Sequence, residues 1–132
     1  MPRPGETFLR ALDELTKAQK ASDQLGVRQA SEKAWLAVVQ ATDRFLQHEH
    51  GLYVTADERA HRERRGYLRT LNRGDLESTY VLLSQRLHGD IFYLGEPVTS
   101  ADLREFFQDA ADFEEMTTGE GGLVDAVLSS LT

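Results

Sequence analysis

The chain has no cysteine. Disulfides, thiolate metal sites and a thiol nucleophile are therefore excluded. No apolar run approaches the ~18 residues that a membrane span needs. The first residues, Met-Pro-Arg-Pro-Gly-Glu, lack the apolar core of a signal peptide. Sustained two-residue alternation of apolar and polar side chains is missing, so no sheet is predicted. There is no glycine-rich phosphate loop and no Gly-x-Ser-x-Gly turn. Tryptophan occurs once, as Trp35.

What remains points to a single helical domain. At 132 residues, the chain is long enough to remove roughly two thirds of its unfolded surface from water. Apolar residues make up 40%, an ordinary share for a folded chain. The net charge of −7 is unevenly placed. Residues 57–73 carry six arginines against three acids, and residues 100–132 carry one arginine against eight acids. Overall acidity disfavours non-specific binding of nucleic acid, but a local basic face can still bind it. The two segments could equally neutralise each other, within the chain or between subunits.

The stretch from Ala30 to Phe45 organises the pattern. It joins Trp35 to small residues at Ala30, Ala34, Ala37 and Ala41, and its apolar arc is wide enough for several neighbours. This predicts a central helix whose alanines let another helix approach closely. Trp35 buries on the order of 200 Å² and belongs to the core.

Around it, the periodicity predicts five helices. Pro2 and Pro4 form a short extended lead-in. The first helix carries Phe8, Leu12 and Leu15 and fades at Leu25-Gly26, with Gly26 as its C′ residue. The second starts near Val27 and ends at Gly51. The third runs from about Ala56 to Leu71, with a thin apolar stripe, and is the least stable. The fourth runs from Asp75 to Tyr93 on a period of 3.5 through Leu76, Tyr80, Leu83, Leu87 and Ile91. The fifth follows Thr99 or Ser100, each a good N-cap. Core residues span about 6–116, residues 117–122 form a flexible linker, and residues 123–132 form an amphipathic tail that docks on the bundle or on another subunit.

Two patches carry a family resemblance. Ala30-Ser-Glu-Lys-Ala-Trp35, followed by Ala37-Val-Val-Gln-Ala41, resembles the central helix of HEPN-type domains. It is most similar to the archaeal repeat-encoded PaREP family of small helical proteins. Arg86-Leu-His-Gly-Asp-Ile-Phe-Tyr93 is similar to a patch in that family's next long helix. The resemblance implies an all-α, antiparallel, HEPN-like bundle, usually homodimeric. For the wider superfamily it implies links to nucleotides or RNA, sometimes with ribonuclease activity. Ribonuclease members carry an Arg, four to six residues and then a His. Arg44 and His50 match that spacing, although at the end of the second helix rather than late in the domain.

Candidate chemistry follows from these residues. Arg44 and His50 would cut RNA with His50 as general acid/base and Arg44 stabilising phosphorane charge. His48, Glu49, His50 and His61 supply metal-ligand types. However, His48 and His50 lie about 200° apart around a helix, so two exposed histidines at a helix end is the better reading and no metal or cofactor is expected. Arg59, Arg62, Arg64, Arg65, Arg69 and Arg73 suit bidentate phosphate contacts, with Tyr67 available for stacking; a solvated or interfacial helix face is the plainer reading. His88 and Tyr93 could line a pocket, although His88 reads better as an interhelical hydrogen-bonder. Glu32-Lys33 reads as a surface pair.

The expected protein is a cytoplasmic, non-catalytic helical module. Its expected partners are a second copy of the chain, a nucleotide or RNA held by Arg59, Arg62, Arg65 and Arg69, or another protein, with no membrane. A ribonuclease using Arg44 and His50 is the alternative, and a purely structural interaction module is the third.

Overall fold

The computed structural model describes residues 3–131. Pro2 lies outside them. Among the described residues there are six α-helices and no strand: α1 (Pro4–Lys20), α2 (Gln24–His50), α3 (Ala60–Thr70), α4 (Gly74–Leu83), α5 (Ser100–Thr118) and α6 (Leu123–Ser130). The chain is an all-α bundle. A π-helical stretch, Ser84–Tyr93, continues directly from α4.

α2 is the central element, packing against α1, α5, the π segment and α3. Ala30, Ala34, Ala37 and Ala41 are completely buried, and they let α1 and α5 lie close against it. Phe8 of α1 and Phe107 of α5 meet with ring centroids 5.9 Å apart. Trp35 is 8% exposed, as its core assignment requires. The tail forms α6 and docks within the chain, burying Leu123, Val127 and Leu131 against α5 and α1. That makes six α-helices where five were expected.

Several boundaries differ from the sequence reading, each for a local reason. α1 begins at Pro4, whose fixed φ suits the first helical position, so the extended lead-in does not include it. α1 also stops earlier than expected, at Lys20. The Asp23 side chain accepts the Gly26 N–H at 3.0 Å and starts α2 there. Gly26 is therefore in the first turn of α2 rather than after α1. A Cβ on it would lie 2.7 Å from Asp23 Oδ2 and 2.9 Å from Ala18 Cβ. Gly51 does end α2, at φ 65°. Its N–H donates to Gln47 O, while Leu52 N–H reaches back to Leu46 O.

α3 starts at Ala60, later than predicted. Asp57 accepts the Arg59 N–H at 2.8 Å, and Glu63 accepts the Thr55 hydroxyl and amide, so residues 55–59 are held as a turn. α4 does not continue as an α-helix to Tyr93. Leu83, Leu87 and Ile91 are buried four residues apart, which a wider turn satisfies. At its end Leu94 N–H donates to Gly89 O, five residues back, at 2.9 Å.

Candidate functional site

The polar side chains converge on one face of α2, around Trp35. Its indole lies 5.0 Å from the Tyr80 ring, 6.2 Å from His61 and 6.3 Å from His88, centroid to centroid. α3 supplies His61, α4 supplies Tyr80 and the π segment supplies His88. The three elements meet there because α3 and α4 form a hairpin, while α3 and the π segment that continues α4 both pack on α2.

Two hydrogen-bonded groups flank the indole. His61 Nδ1 is 3.0 Å from the hydroxyl of Tyr80, a completely buried residue. Burial, with help from Arg65, Arg64 and His88, holds His61 below the usual histidine range and so neutral. Burial likewise raises the Tyr80 phenol. On the other side, Glu32 on α2 sets its two carboxylate oxygens 2.7 and 2.9 Å from His88 Nδ1. His88 then stacks on Phe92 and meets Tyr93 edge-on. A row of aromatic rings thus runs from buried Tyr80 to exposed Tyr93.

Arg64 anchors the edge of this cluster. Its guanidinium donates to both oxygens of Asp43 on α2, at 2.7 and 3.1 Å, in the fork geometry that suits a carboxylate. Burial alone would lower its pKa, but the bonds to Asp43 and the nearby Tyr80 hydroxyl outweigh that.

The arginines that the sequence singled out have different fates. Arg59 bonds Asp57, Arg69 bonds Glu77 and Arg73 bonds Asp75. Arg65 keeps a looser 4.0 Å contact with Glu77. No acidic partner of Arg62 occurs among the described residues, and Arg62 is exposed. The basic segment is thus largely neutralised by acids of its own neighbourhood, not by the acidic residues of α5.

Arg44 and His50 are not brought together. α2 is continuous through both, so six residues separate them by about 9 Å and about 120° around the axis. His50 packs edge-on against Phe45, while Arg44 shares a recess with His48 and Gln40. His48, Glu49, His50 and His61 do not converge either: no group of three metal-ligating side chains occurs among the described residues.

Sequence reasoning missed the roles of Glu32, Asp43 and Tyr80. Glu32-Lys33 is not a surface pair, since Glu32 holds His88 and Lys33 bridges to Glu14 of α1. Tyr80 lay in a clean apolar stripe, so nothing marked its hydroxyl. Glu32 does fall three residues before Trp35, on the same side of the helix, which was the available signal that it faces a neighbour. Comparison with protein families, characterised proteins and solved structures finds no match to this chain.

Proposed function

We propose that this chain is a non-catalytic, HEPN-like helical module that works as a homodimer and binds a nucleotide or RNA along the exposed edge of α3. The observation that carries this reading is the state of Arg62 and Arg65. They are one turn apart on α3, so they share a face. Arg62 has no acidic partner among the described residues, and Arg65 has only a long contact. The Arg62 guanidinium is thus free to fork onto phosphate oxygens, while Arg65, whose Nε is buried, offers its outer nitrogens. The half-exposed ring of His88 and the exposed ring of Tyr93 offer stacking surfaces of the kind single-stranded RNA uses.

The test is binding of a fluorescent single-stranded RNA and of a labelled nucleotide, by anisotropy at two salt concentrations. Replacing Arg62, Arg65 and Arg69 together by Glu is expected to abolish binding. Replacing Arg62 alone by Ala is expected to lower the salt slope by about one. Affinity unchanged in the triple variant overturns the reading. Sedimentation of the wild type checks the dimer, and a monomer at all concentrations removes that part.

A further inference from the structure

The backbone that follows α4 is itself unusual. Ser84–Tyr93 is ten residues of π-helix. π-helix normally occurs as single-turn bulges, and often at functional sites. Two consecutive turns of it need an external hold.

That hold comes from α2. Arg28 and Glu32 are one turn apart and grip the π segment at two points. Glu32 takes the His88 ring through Nδ1. Arg28 donates from Nε and Nη2 to Phe92 O, at 3.0 and 2.7 Å, and from Nη2 to Tyr93 O at 3.3 Å. Gly95 makes room for the second grip: at φ 64° it passes so close that a Cβ would lie 3.1 Å from Arg28 Cζ. Neither grip is deeply buried. The His88 and Glu32 side chains are 42% and 28% exposed, so the pair can open without dismantling the core.

One bond at the end of the segment distinguishes the two windings. Leu94 N–H donates to Gly89 O, and Glu96 N–H donates to Asp90 O. In an α-helix Leu94 would donate to Asp90 O instead.

We infer that Ser84–Tyr93 is a two-state register switch: Glu32 and Arg28 hold it in the π form, and releasing them lets its second half rewind as an α-helix. Rewinding turns the side chains beyond Leu87 by about one residue, on the order of 100°. It takes His88 off Glu32, turns Ile91 from its buried position and reorients Phe92, Tyr93 and Leu94. Anything that competes for Glu32 or for Arg28 then sets the orientation of that exposed end.

The experiment reads the hydrogen bonds directly. Through-bond amide–carbonyl couplings by NMR identify the acceptor of each N–H. In the wild type, Leu94 N–H is expected to couple to Gly89 C=O. In Glu32→Gln and in Arg28→Met it is expected to couple to Asp90 C=O, with exchange of amides 88–94 faster by about tenfold or more and that of α1 and α5 unchanged. Glu32→Gln swaps a partly exposed carboxylate for an amide of equal size and stays folded, so it serves if Arg28→Met does not fold. Retention of the Leu94–Gly89 coupling in Glu32→Gln overturns the proposal, as does faster exchange spread evenly over all helices.

Discussion

His61 and Tyr80 meet across the α3–α4 hairpin, with Nδ1 3.0 Å from the hydroxyl and the rings stacked 5.1 Å apart. The hydroxyl sits where water does not reach, so its partner matters. Tyr80→Phe leaves His61 Nδ1 without that bond and is expected to cost about 1–2 kcal/mol, read from urea unfolding. An unchanged midpoint would show that His61 finds another partner.

His61 also makes stability depend on acidity. Its pKa in the fold lies below the ordinary 6.5, burial being the largest cause. The unfolded chain therefore binds a proton that the fold refuses. Stability is full above the ordinary value and declines as pH falls through it towards the folded value. His61→Gln should flatten this acid limb in unfolding curves taken between pH 7 and pH 5.

Glu114 acts in the opposite sense. It is completely buried, neither carboxyl oxygen has a partner among the described residues, and burial with the nearby Glu120 pushes it up to about 9. The fold then keeps a proton that the unfolded chain loses above the ordinary 4.5. Stability is highest at low pH and falls as pH rises from there to the folded value, by up to about 1.4 kcal/mol per unit. Glu114→Gln is expected to remove that slope and to raise stability at pH 7 by about 3 kcal/mol. A variant no more stable than wild type at pH 7 and pH 9 would falsify a neutral, buried Glu114.

The alanine ladder of α2 leaves no room for a larger side chain. Ala34→Leu is expected to destabilise the fold by about 1–3 kcal/mol through overpacking, whereas Gln29→Leu, at an exposed position one turn before Lys33, should change stability little. Thermal melts of both variants provide the comparison.

α6 is held by three buried side chains, Leu123, Val127 and Leu131. A chain ending at Gly122 should lose about 5 kcal/mol and melt well below the full chain. Equal melting temperatures would mean that α6 contributes nothing to the fold.

The helical plan was legible because periodicity and capping agree. Phe8, Leu12 and Leu15, the alanine ladder, Gly51 and the Thr99 cap all appear in the structure where the pattern put them. Gly26 misled because glycine after an apolar run signals a helix end, yet Asp23 three residues earlier supplied a stronger start. The π segment was hidden because Leu83, Leu87 and Ile91 fit a period of 3.5 nearly as well as a wider turn. The Trp35 cluster was only partly legible. His61 and His88 stood out by type, but which carboxylate each element would present to them depends on how α3 and α4 cross α2, and no local pattern encodes that crossing. The arginine row looked like one basic surface because Asp43, Glu77 and Asp75, which pair with Arg64, Arg69 and Arg73, come from two other helices.

Trp35 is the chain's only indole, and two imidazoles lie within 6.3 Å of it, on different helices. A charged imidazole quenches an excited indole more strongly than a neutral one. The fluorescence of the whole protein therefore reports a single spot, the junction of α2 with the α3–α4 hairpin. Opening of that junction, protonation of either ring or arrival of a ligand beside it can be followed by light emission from the unmodified chain, without a label.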